Sequence, residues 1–361
     1  MMLLIAVAIA AERTRIGGAI SAPAILIIGG ALLSNSGVIP FSAPLYGGVI
    51  VFLIPVAIAA LLLKADIGRI IRETGTMALP FLLGALFVVT GALLAGWMLD
   101  LGPEGHKVVG AMAATSIGGS MNFVAVSSAL QFDDASLLAA AVATDSVVGA
   151  SYLILMATVS GTRWFSKRAN VETASVDCSE GQAETAVVAG DLLKNMANTL
   201  SVSLMIAAVG ILLAAKAGVE HYAILVITVL AVLVANVFRR PMRTLRGDTE
   251  IGILVMYLFF FVVGASTDLK AFVDNAGGIV LLTVIMLTVH VGLLLVATRW
   301  LKFDPAEALI ASNACILGPA TAAALAASRG WQHLVTPGLM CGLAGYVIAN
   351  FAGIGIAKLL L

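Results

Sequence analysis

The stretch 108–130 carries no charged residue and is long enough to cross a bilayer, and eleven more apolar segments lie along the same chain. A spanning helix needs about 20 consecutive apolar residues. The twelve segments cover roughly 1–11, 17–33, 45–63, 74–99, 108–130, 135–162, 196–215, 222–238, 251–267, 275–298, 308–328 and 334–357. Hydrocarbon offers no hydrogen bonds, so such segments must satisfy their backbone internally, and these lengths call for helices. The composition excludes a water-soluble fold. Only 11% of residues are charged and 61% are hydrophobic, whereas soluble domains are about 25% charged. The expected fold is an all-α polytopic membrane protein with 10–12 membrane segments, placed in the plasma membrane (the inner membrane of a bacterium).

Formal net charge is zero, which gives no reason to expect nucleic acid. Cys178, Cys315 and Cys341 have neither metal nor disulfide spacing. The start "MMLLIAVAIAAERTR" is apolar before it is basic, the reverse of a signal peptide. It reads as a short first membrane segment, trimmed at its front. The one long polar stretch, 163–195, is charged and poor in aromatic residues, and reads as a flexible loop.

That loop separates two halves that share a faint internal repeat. "AILII" from Ala24 matches "AILVI" from Ala223; Asn35 and Pro40 match Asn236 and Pro241; Asp66 matches Asp268; Gly119 falls on Gly318. These pairs lie 199 to 202 residues apart and keep their order. The halves are read as 1–162 and 196–361, with 163–195 as a cytoplasmic linker.

Loop charge bears on their relative orientation, since Lys and Arg favour cytoplasmic loops. If all twelve segments cross, the two faces carry 8 and 12 basic residues, barely a bias. If 108–130 and 308–328 instead enter and leave on one side, the split becomes 16 to 4. Each half then has five spans, an odd number, so the halves are inverted and both termini lie outside the cytoplasm.

The two exceptional segments both contain helix breakers. "ATSIGGSMNFVA" begins at Ala114, and "NACILGPATAAA" begins at Asn313. Irregular backbone at membrane depth is tolerated only where protein or a watery cavity surrounds it, and broken helices in inverted repeats are the build of secondary transporters. A break frees N–H groups at one half-helix start and carbonyls at the other half's end, which attract anions and cations respectively. The candidate solute-binding residues are therefore Ser116, Gly118, Gly119, Ser120, Asn122, Asn313, Gly318, Pro319 and Thr321. The bland alternative is a small-residue packing seam.

Asp145 is the only acidic residue well inside an apolar segment, and an intramembrane acid is a functional-site hypothesis by default. With Thr144, Ser146 and Asn122 it forms a candidate Na⁺ site; alternatively it carries a proton, or pairs structurally with a hydroxyl or amide. No other cofactor is expected. His290 reads as a hydrogen-bonded helix contact. Asp66 and Asp268 read as caps of the helices that follow, Asn35 and Asn236 as turn or cap residues, and the arginines of 239–246 as a topology anchor.

"TSIGGSMNFVAV", "LLSNSGVIP" and "AVATDSVVGASY" resemble the signatures of the YjcL-like family of membrane proteins of unknown function (DUF819), across nearly the whole chain. Gly118, Gly119, Asn122 and Asp145 fit its pattern. The family is distantly similar to sodium–glutamate symporters and related inverted-repeat carriers. The resemblance implies Na⁺-coupled or H⁺-coupled symport of a small organic, anionic solute. A channel or a non-transporting receptor on the same scaffold is the alternative. An enzyme is not expected, because Asp145 has no acidic partner and His290 no evident nucleophile. The expected partners are a small-molecule solute, membrane lipid and a second copy of the chain in a homodimer.

Overall fold

The computed structural model describes residues 1–12, 22–160 and 189–361, and among these every regular element is a helix. The helices are α1 (Met2–Glu12), α2 (Ala22–Asn35), α3 (Pro44–Leu62), α4 (Ile67–Thr74), α5 (Ala78–Met98), α6 (Gly105–Gly118), α7 (Ser120–Ala129) and α8 (Ala135–Ser160). The chain continues through α9 (Ala189–Lys216), α10 (Ala223–Val237), α11 (Arg239–Thr244), α12 (Asp248–Ala265), α13 (Leu269–Trp300), α14 (Pro305–Ile316), α15 (Pro319–Ser328) and α16 (Gln332–Leu359). Among the described residues, seven helical stretches are long and apolar enough to cross a membrane, and three shorter apolar helices accompany them, five of these ten in each half. Over their described residues, all twelve apolar segments of the sequence appear as helix or as a helix pair. Residues 13–21 and most of the 163–195 stretch lie outside the described residues. Residues 189–195, assigned to that polar loop by their charges, are instead the first turns of α9.

The breaks and bends have local causes. In α3 the backbone widens into a π turn at Val49–Leu53, just before Pro55. Proline has no N–H and crowds the preceding turn, and a wider turn relieves both. Asp66 caps α4 by accepting from the Arg69 N–H at 3.1 Å. Asp268 likewise accepts from the Lys270 N–H at 2.8 Å at the start of α13. Asp304 caps α14 through the Ala306 and Glu307 N–H groups, with Pro305 at the first helical position. These caps fulfil the ordinary need of a helix start for acceptors.

Two packing groups emerge. In one, α2 and α3 lie against α12, and α9 lies against α3 and α10. In the other, α16 lies against α6, α14 and α15, while α5 lies against α13. Helix α8 touches members of both, which puts Asp145 near their boundary.

Ion pairs tie the halves together at one end. Asp66 meets Arg243 at 2.9 Å and Arg239 at 3.6 Å, and Lys64 meets Asp248 at 2.6 Å. Arg239 and Arg243 are therefore partners of a buried acid, a role that the charge count alone did not give them. Burial works to raise the Asp66 pKa, but the Arg69 N–H and the two guanidinium charges outweigh it and hold the carboxyl below its ordinary value.

Candidate functional site

Both breaks adopt the same backbone conformation. Gly119, between α6 and α7, has φ 82° and ψ 175°; Gly318, between α14 and α15, has φ 91° and ψ −176°. This region of backbone space is essentially restricted to glycine. The second half-helix is ten residues long in each case.

A single helix brings the two breaks together. On α16, a Cβ at Gly342 would collide with Pro319, and one at Gly345 would collide with the Ile117 carbonyl and stand 3.2 Å from Gly118 Cα. Gly342 and Gly345 are three residues apart, about 4.5 Å along the axis, in the middle of a 28-residue helix. Both breaks therefore sit level with the centre of α16. The first half-helices also touch, through Cys315 Sγ and the Ser116 carbonyl at 3.3 Å.

A pocket of about 240 Å³ opens beside the breaks. Its polar wall is Ser120, Asp145, Ser146 and Thr321, and its apolar wall includes Pro23, Val142, Leu153 and Leu317. Ser120, the first residue of α7, donates to Asp145 Oδ2 at 3.2 Å. Thr321, in the first turn of α15, donates back to the Gly318 carbonyl at 3.0 Å. No Lys or Arg forms an ion pair with Asp145 among the described residues.

The sequence-derived candidates divide accordingly. Ser120, Thr321, Asp145 and Ser146 line one pocket, from three separate helices. Gly118, Gly119, Gly318 and Pro319 form the breaks behind it. Ser116, Asn122, Thr144 and Asn313 are buried and do not reach the pocket wall. Asn122 Nδ2 and both amide atoms of Asn313 have no hydrogen-bond partner among the described residues, although an unpaired buried polar group ordinarily costs about 1–3 kcal/mol. The pocket residues missed from the sequence are Pro23, Leu317 and, on α8, Val142, Gly149, Ala150 and Leu153. The spacing of the α8 residues from Asp145 and Ser146 is that of one helix face, so for them the signal was present.

Asn35 and Asn236 do more than cap. Each amide donates within its own last turn, to Ala31 and Val232 respectively, and also across to the other half. Asn35 Nδ2 reaches the Thr267 carbonyl and Asn236 Nδ2 the Ala65 carbonyl, both at 2.9 Å. His290 is the helix contact expected of it, and it has a hydroxyl partner that the sequence did not reveal. Its Nδ1 lies 2.9 Å from the Gly84 carbonyl and its Nε2 2.7 Å from Ser312 Oγ, which in turn lies 2.6 Å from the Tyr152 hydroxyl. A carbonyl only accepts, so Nδ1 carries a proton. With a neutral ring, Ser312 then donates to Nε2 and Tyr152 donates to Ser312.

The family model "Protein of unknown function (DUF819)" matches residues 1–361. The chain is also 30% identical over 361 residues to "Uncharacterized membrane protein YjcL" of Bacillus subtilis (strain 168), an alignment that covers 95% of this chain and 90% of that protein. The chain thus belongs to DUF819, a family of proteins of unknown function, and is similar along nearly its whole length to a membrane protein.

Proposed function

We propose that the protein is a secondary active transporter, a symporter coupled to Na⁺ or H⁺ that carries a small organic anion. The observation that carries this reading is the pocket itself. The starts of two half-helices and an intramembrane carboxylate that has no basic partner among the described residues converge on it from α7, α15 and α8. Half-helix starts favour an anion. Asp145, with the hydroxyls of Ser120 and Ser146, favours a hard cation or a proton. Charge couples the two, because each bound ion lowers the cost of holding the other.

The arrangement of the halves supports the same reading. Asn35 ends α2 against Thr267, just beyond the end of α12, so both helices finish on one face. Helix α3 then crosses, and at its far end Ala65 meets Asn236, the end of α10. Helices α2 and α10 are sequence counterparts, and they finish on opposite faces. That is the relation expected of inverted repeats, which in transporters meet at the substrate site. Each half also contributes one break of the same conformation.

The Ser312–His290 pair is where an enzyme reading would rest. Ser312 Oγ is held on both sides, by His290 and Tyr152, from three helices, and this favours a polar tie between helices. Reconstitution in liposomes tests the proposal. The expected outcome is saturable solute uptake that needs an inward Na⁺ or proton gradient. Flux that rises linearly with solute and ignores both gradients would instead identify a channel.

A further inference from the structure

We infer that the pocket takes a monocarboxylate together with one monovalent cation, so that a transport cycle moves no net charge. This rests on the transporter reading of the same site, and it comes from counting the charges that face the pocket. A helix start is equivalent to roughly half a positive charge, and α7 and α15 both begin at the wall. Together they match one negative charge, and among the described residues no Lys, Arg or His of the pocket lining adds to them. A second negative charge on the solute would stay uncompensated in a medium where an unpaired charge is very unfavourable. Asp145 contributes one negative charge of its own, and one Na⁺ or one proton balances it.

Two further features fit a small monoanion. The pocket holds about 240 Å³, and Val142, Leu153 and Leu317 give it an apolar wall for a short carbon chain. Ser120 already directs its hydroxyl proton to Asp145, and a cation at that carboxylate would release the hydroxyl to an anion. Binding of the cation thereby prepares the anion site.

The test uses the full chain in two steps. Thermal stability is measured with butyrate, L-lactate, pyruvate and succinate, each with Na⁺ or with K⁺ at two pH values. At least one of the three monocarboxylates is expected to stabilise the protein, with a tenfold or greater gain in apparent affinity from Na⁺ or from the lower pH, whichever supplies the cation. Stabilisation by succinate alone would overturn the monoanion class. The responding monocarboxylate is then followed into proteoliposomes with the membrane potential clamped at zero or at about 100 mV. Accumulation should agree within twofold at the two potentials. A cycle moving one net charge would change it about fiftyfold, from 2.3 kcal/mol per charge per 100 mV; that result would overturn electroneutrality and leave the transporter standing. No response to any of the four acids and no uptake under either gradient would overturn both.

Discussion

The Asn35 side-chain amide donates to the Thr267 carbonyl at 2.9 Å, joining the end of α2 to the segment after α12. Its sequence counterpart Asn236 makes the same bond to Ala65, at the same length. Replacing either with Ala leaves a carbonyl of the other half without its partner, and the expected cost is about 1–3 kcal/mol. Asn236→Ala should be the more damaging, since Asn236 Oδ1 also accepts from the Ile67 N–H at 2.9 Å. Thermal unfolding of the two purified variants checks this. A neutral Asn236→Ala would remove the bond from any structural role.

Gly119→Ala and Gly318→Ala should each cost about 1–3 kcal/mol, because both positions hold a conformation that a Cβ disfavours. The added methyl meets little at either site, with Tyr346 3.9 Å from the first and nothing within 4 Å of the second. Strain is thus the expected cause, and unfolding midpoints measure it. Gly345→Ala should be worse, since its methyl runs into the Ile117 carbonyl. Equal stability for Gly345→Ala and Gly119→Ala would mean that α16 is not clamped on the break.

Asp66 gives a pH signature. Its carboxyl is held below the ordinary value of 3.8, so its stabilising contribution is present above that value and is lost as pH falls through the lower folded-state pKa. Wild type should exceed Asp66→Asn in stability near neutrality, and the gap should close in acid. A gap that persists at low pH would show that packing or capping, and not charge, makes the difference.

Sidedness is testable with a native handle. Cys178 lies in the polar stretch between the halves, and Cys315 and Cys341 are buried. In intact cells a membrane-impermeant maleimide should leave Cys178 unlabelled until the membrane is permeabilised. A Ser36→Cys variant, on the face of Asn35, should react from outside. An Arg240→Cys variant, beside Asn236, should behave as Cys178 does. Reaction of Arg240→Cys from outside would contradict the inverted arrangement.

The helices were legible because hydrocarbon permits little else, and the breaks were legible because Gly118-Gly119 and Gly318-Pro319 stand in otherwise apolar runs. Asp145 was legible for its rarity at that depth. Which polar residues meet was not. Ser120, Ser146 and Thr321 line one pocket with Asp145, while Thr144, one residue before it on α8, is buried away from that wall. A helix rotates about 100° per residue, so chain proximity to Asp145 does not mean a shared face. The ties of Arg243 to Asp66 and of Ser312 to His290 and Tyr152 span 177, 22 and 160 residues. No local pattern encodes contacts at such separations.

The decisive measurement compares wild type with Asp145→Asn for stabilisation by Na⁺ and by falling pH, on purified protein that folds in both forms. Among the described residues Asp145 has no cationic side-chain partner, and a bound ion or proton is proposed to balance it. Wild type should be stabilised by one of the two, and Asp145→Asn by neither. The variant's apparent affinity for the cation should fall by roughly a hundredfold or more, as when one partner of a buried charge pair is removed. A folded Asp145→Asn protein with unchanged responses to Na⁺ and to pH would contradict the coupling role and leave Asp145 a hydrogen-bond partner of Ser120.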